Sequence, residues 1–239
     1  PVQLTAYKSQ QFRWAKGSIQ TAKKLMKQVL SSESTFQKKA QAILHLTYYS
    51  IHPMLLLNAV AFLPVLIFLK SSTGLDLFTK AGFLFTMGLL TIAPATTLYA
   101  QTLITPKWKE RILWLPWLVL FGTGLAVNNS RAVFEALIGK PSEFIRTPKM
   151  GITDLGEKWK TRSYSMPLTV DMAIELALVI YLLAASVWAW NLGMWYILPF
   201  MAYYILSFGA VLTLELWQNG SLSWLKKSPS LTPSIEPAE

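Results

Sequence analysis

Gln10, Arg13 and Trp14 are the residues whose spacing first suggests chemistry, for at i, i+3 and i+4 of a helix they share one face. An amide, a guanidinium and an indole then lie together, with Gly17 on the same side. A planar donor fork beside a large aromatic ring suits a sugar next to a phosphate. Two other faces accompany it. Phe12, Ala15, Ile19, Ala22, Met26 and Val29 gather into an apolar stripe predicted to meet the acyl boundary. Lys16, Lys23, Lys24 and Lys27 fill the arc between that stripe and Arg13, where anionic head groups are the expected neighbours.

A second reactive stretch lies at 144–151. Thr147 offers a hydroxyl and Lys149 an ammonium two residues apart, Arg146 adds a fork, and Phe144 precedes them. Pro141, Pro148, Gly151, Gly156 and Pro167 mark residues 140–167 as a loop, so these groups can move without unfolding a span. Other polar residues have plainer explanations. His45 and His52 lack an evident third ligand. Asp171 and Glu175 resemble an acid pair, but carboxylates near a helix N-terminus are favoured by the helix dipole. Asn128 and Asn129 are expected to end an apolar segment, with a glycan-facing role as the alternative, and Arg131 and Glu135 to form a weak surface pair.

The elements that position these groups belong in a bilayer. Apolar residues make up 53% of the 239 and charged residues 14%, with a mean hydropathy of +0.37, which is greasier than a soluble domain. A net charge of +10 first suggests nucleic acid, yet the basic residues flank apolar segments and form no separate basic domain. Without cysteine, disulfides and thiolate metal sites are excluded. A chain opening on Pro1 is expected to be a piece of a longer polypeptide, and residues 1–39 are amphipathic, unlike a signal or transit peptide.

Residues 1–44 are read as interface helices at the end of a preceding catalytic domain, residues 45–104 as a first transmembrane pair (45–69, kinked by Pro53 and Pro64, and 77–104). Residues 168–218 form a second pair (168–189 and 194–217), with a disordered tail at 219–239. Within 105–139, the apolar run 112–127 has only about 16 positions, short for a crossing. Basic residues number 8 in 1–44, 2 in 70–80, 10 in 105–169 and none in 190–193. A crossing at 112–127 would put seven of them, Arg131 to Arg162, outside, against the positive-inside rule. The expected fold is therefore all-α and integral to the membrane, with four spans plus an in-plane or re-entrant helix, or five spans if 112–127 crosses.

Gln10-Gln11-Phe12-Arg13-Trp14 resembles the Gln-x-x-Arg-Trp signature of processive family 2 glycosyltransferases, the cellulose, mannan, chitin and hyaluronan synthases. Phe144, Thr147 and Lys149 match in register the gating-loop motif Phe-x-Val-Thr-x-Lys-Gly of bacterial cellulose synthases. Arg146 replaces its valine, Met150 its glycine, and Gly151 is displaced by one. The resemblance implies an inverting hexosyltransferase that extends a β-linked polysaccharide from a nucleotide sugar (UDP- or GDP-hexose) and passes it through a transmembrane channel. It further implies that Trp14 stacks on the acceptor sugar, that Gln10 bonds a sugar hydroxyl, and that Arg13 meets the donor pyrophosphate. Thr147 and Lys149 would approach the nucleotide from a gating loop that includes Phe144 and Arg146. The catalytic aspartates and their Mg or Mn ion belong to a preceding domain, so this piece alone is inactive. Its partners would be the growing polysaccharide and the lipid bilayer, not nucleic acid. Its place would be the inner membrane if the source is bacterial, with both motifs cytosolic. The alternative is a non-enzymatic transporter half or scaffold, which accounts for the spans and charge but not for the two motifs.

Overall fold

A computed structural model describes residues 3–71, 95–141 and 170–218, and among them every regular element is a helix. The first, α1 (Leu4–Ser31), has 28 residues and spans about 42 Å. It ends where the Ser31 and Ser32 hydroxyls donate to the carbonyls of Gln28 and Val29 and Ser32 turns extended. Lys39 donates to the Leu30 carbonyl at 2.8 Å and satisfies another open acceptor of that last turn.

Next, α2 (Phe36–Thr47) passes through a 3₁₀ turn (Tyr48–Ser50) into α3 (Ile51–Ser71). Pro53 sits in the first turn of α3, where its missing N–H costs nothing, whereas Pro64 is interior. Proline at 64 leaves the Val60 carbonyl, four residues back, without its helical donor. The Tyr181 hydroxyl donates to that carbonyl at 2.5 Å and accepts from the Leu63 amide at 3.0 Å, so a neighbouring helix repairs the break.

Residues 95–104 are helical, and α4 (Trp108–Ile112), α5 (Leu115–Gly124) and α6 (Ala126–Leu137) follow. The last pair of helices, α7 (Val170–Asn191) and α8 (Leu198–Gln218), is joined by a tight turn and the 3₁₀ segment Trp195–Ile197. Gly193 takes φ +72°, the left-handed geometry that closes a helix C-terminus most cheaply without a Cβ.

Among the described residues, three helices are long and apolar enough to cross a membrane: Phe36–Ser71, Val170–Asn191 and Trp195–Gln218. A fourth crossing arises if Trp108–Gly124 and Ala126–Leu137, bent by 46°, form one broken span; the same bend suits a re-entrant segment. Of the expected second span at 77–104, only 95–104 falls within the described residues.

The buried core joins α3, α6, α7 and α8 through Ala59, Ala126, Leu178, Leu182, Tyr204 and Phe208. Small residues let these helices approach closely, which stands in for a hydrophobic driving force inside lipid. Gly124 marks the tightest approach: a Cβ there would lie 2.4 Å from both the Ser207 carbonyl oxygen and Val211 Cγ2.

Two expectations need correction. The apolar stripe of α1 is not left for the acyl boundary, because Ala15, Ile19 and Ala22 are buried and Ile19 packs with Val133 and Ala136 of α6. Asn128 and Asn129 do not end the apolar segment; they open α6, both buried.

Candidate functional site

The buried face of α1 determines what its opposite face can present. Leu4, Lys8, Ala15, Ile19 and Ala22 point inward, and one flank is tied to the first span. There Ser18 donates to the Leu46 carbonyl at 2.9 Å, and the Tyr49 hydroxyl donates to Gln11 Oε1 at 3.3 Å. At 100° per residue, Gln10, Arg13 and Trp14 fall on the side turned away from α6. Trp14 is 54% exposed, as Trp114, Trp117, Trp190, Trp195 and Trp217 also are by half or more, while Gln10 and Arg13 are half-buried on the same side. The predicted acceptor and donor residues of this helix thus lie on one side of it, where Trp14 alone is exposed.

An ionic cluster fixes the opposite, inward side of α1 to the spans. Lys8 Nζ lies 2.8 Å from Glu175 Oε1 and 2.5 Å from Glu215 Oε2, with the lysine side chain 6% exposed and the carboxylates 0% and 2%. Beside it the Leu4 amide donates to Gln218 Oε1 at 2.6 Å. Asn128 Nδ2 reaches the Lys8 carbonyl at 3.0 Å and also donates to Asn129 Oδ1, and Asn129 in turn meets His52 Nε2 at 3.0 Å. A continuous polar chain therefore links α1 to α3, α6, α7 and α8 through otherwise apolar surroundings. Isolated charges there would be costly, and mutual pairing offsets the cost.

A second ionic seam lies further along α1. Lys16, expected among head groups, is buried and pairs with Glu135 at 2.9 Å. Lys23 donates to the Leu137 carbonyl at 2.7 Å and caps α6. Arg131 and Glu135 do not pair with each other as the sequence suggested. Arg131 reaches Asp171 at 2.9 Å, and Glu135 takes Lys16 and Lys140. The i, i+4 geometry was available, but partners on other helices are better placed. The Phe12 ring carries the Arg131 guanidinium at 4.8 Å and the Lys16 ammonium at 5.8 Å.

Phe144, Arg146, Thr147 and Lys149 lie outside the described residues. Among the aromatics considered as glycan platforms, Tyr48 and Trp195 are exposed. Tyr49 stacks on His52, and the Tyr203 hydroxyl is 2.5 Å from that of Thr123, so both of these serve packing. Among the described residues, no group of three or more His, Asp or Glu side chains is placed to hold a metal ion.

Sequence reasoning passed over Lys8 and Glu215. Their signal was present: Glu215 is a lone carboxylate in an apolar run, and Lys8 is a cation one turn beyond Leu4 on the inward face of α1. No family model matches the chain, and neither does any curated protein or solved structure.

Proposed function

We propose that this chain forms the membrane part of an inverting family 2 hexosyltransferase that extends a β-linked polysaccharide from a nucleotide sugar and passes it across the bilayer. One observation supports the proposal: Trp14 is exposed, with Gln10 and Arg13 half-buried on the same side of a helix whose other side is locked into the spans by buried charge. A sugar-binding surface at a channel mouth needs both properties. The ring must be open to its ligand, and its support must not move. In this role Trp14 stacks on the terminal acceptor sugar, Gln10 bonds one of its hydroxyls, and Arg13 meets the donor pyrophosphate. The loop at 140–167 closes over the nucleotide through Thr147 and Lys149, flanked by Phe144 and Arg146. Catalytic carboxylates and their divalent ion come from a cytosolic domain preceding this piece.

The test uses the full-length polypeptide. Trp14→Ala removes a stacking platform worth about 1–3 kcal/mol, equivalent to a loss of roughly five- to 150-fold in polymer extension, with nucleotide-sugar binding retained. Equal loss of extension and donor binding would remove the assigned role. A full-length protein that neither binds nor consumes any nucleotide sugar would instead identify a non-enzymatic transporter half or scaffold.

A further inference from the structure

At the elbow between α1 and α2 the chain leaves an open cavity of about 280 Å³. Its wall is apolar, made by Leu25 and Val29 from the last turns of α1 and Ala42 from α2. Its rim is cationic and hydroxylic, made by Lys38, Lys39 and Ser34. No carboxylate lines it, and Glu33, the acidic residue of the elbow, is exposed outside the lining. The field at the rim has a second source. The first turn of α2 contains no acidic residue, and Thr35 makes no side-chain cap, so the positive end of that helix is uncompensated.

The surroundings of the cavity identify the environment of its ligand. Leu30, Phe36 and Leu44 are 56%, 85% and 71% exposed around the elbow, and α2 is the opening part of the helix Phe36–Ser71, which at 36 residues is longer than a bilayer crossing needs. Large exposed apolar side chains interspersed with lysines are the pattern of a segment lying at the boundary between head groups and acyl chains. An apolar wall with a cationic rim at that depth is complementary to an amphiphile with a negative head.

We infer that the α1–α2 elbow is a binding site for an anionic glycerophospholipid, whose phosphodiester is held by Lys38, Lys39 and Ser34 and whose acyl chain lies along Leu25, Val29 and Ala42. Lys39 also closes the end of α1 through Leu30, so a bound head group bears on the helix that carries Trp14.

The experiment uses the full chain in phosphatidylcholine bilayers and compares the association of spin-labelled phosphatidylglycerol with that of spin-labelled phosphatidylcholine. Phosphatidylglycerol is expected to be preferred, and Lys38→Ala to lower that preference about five-fold, the share of one lysine near a surface. Ala42→Trp fills the groove without changing charge and is expected to lower it as well. Lys70→Ala, an exposed lysine at the far end of the Phe36–Ser71 helix and outside the cavity, is expected to leave it within about two-fold. Three results would each overturn the site: no preference between the two lipids, an equal loss for Lys70→Ala, or displacement of the lipid by soluble glycerol phosphate.

Discussion

Replacing Lys8 by methionine keeps the length of the side chain and removes its charge. The two carboxylates that face it, Glu175 and Glu215, are 0% and 2% exposed and hold its ammonium at 2.8 and 2.5 Å. Without the cation they are left buried, close together and uncompensated. Breaking a buried ion pair from one side costs about 3–5 kcal/mol, because the partner charge stays desolvated. At 1.4 kcal/mol per factor of ten, the detachment of α1 from α7 and α8 should become easier by roughly two to three and a half powers of ten. Amide hydrogen exchange on the intact chain reads this directly, as faster exchange over 4–31 with little change in 178–189, which lies away from the cluster. The triple variant Lys8→Met, Glu175→Gln, Glu215→Gln removes the stranded charges and should recover most of the protection. If Lys8→Met alone exchanges within two-fold of the parent over α1, the cluster does not seat the helix.

Three further outcomes follow from the packing and the charge distribution. Gly124→Ala drives a Cβ into the Ser207 carbonyl and should destabilise the chain by about 1–3 kcal/mol in a thermal melt, whereas Gly122→Ala, with open space around it, should not; equal melting temperatures would contradict the close approach of α5 and α8. Tyr181→Phe leaves the Val60 carbonyl without a donor and should cost about 1–3 kcal/mol, most of it recovered when Pro64→Ala supplies the missing amide; strict additivity of the two changes would show that they are unconnected. Because the chain contains no cysteine, single cysteines at Lys140, Lys149 and Lys158 can be probed cleanly; they should stay unlabelled by impermeant thiol reagents in intact cells, and labelling from outside would end the cytosolic placement of this basic segment.

The apolar runs made three helices fit to cross a membrane legible, because a helix that crosses lipid must satisfy its backbone internally and be greasy over its whole length. That Gln10, Arg13 and Trp14 share one side of α1 was legible too, since 3.6-residue periodicity fixes which side chains share a face, although only Trp14 is exposed there. What lies opposite a face is not local information. The stripe of Ala15, Ile19 and Ala22 reads the same whether it meets lipid or α6, and only the tertiary structure selects α6. Lys16 likewise reads as a head-group lysine until Glu135 is seen beside it. Asp171 and Glu175 at the start of α7 suited the helix dipole, yet their partners come from α6 and α1, far away in sequence. The bend at Leu125 hid in a run whose composition fits a short span and a re-entrant segment equally well.

The contact between Lys8 and Glu215 also constrains the order in which the molecule can be assembled. The two residues are 207 positions apart, and Glu215 lies in the last turn of the last span. At about 5–20 residues per second, a ribosome needs roughly 10–40 s to travel from one to the other. For the first part of that interval, until α6 and Glu175 emerge, α1 has an unmatched lysine on its inward face and an exposed apolar stripe, and the second carboxylate arrives last. A helix that emerges ahead of these spans is therefore fully seated only after them, and the face that bears Trp14 takes its final position only once α8 has emerged.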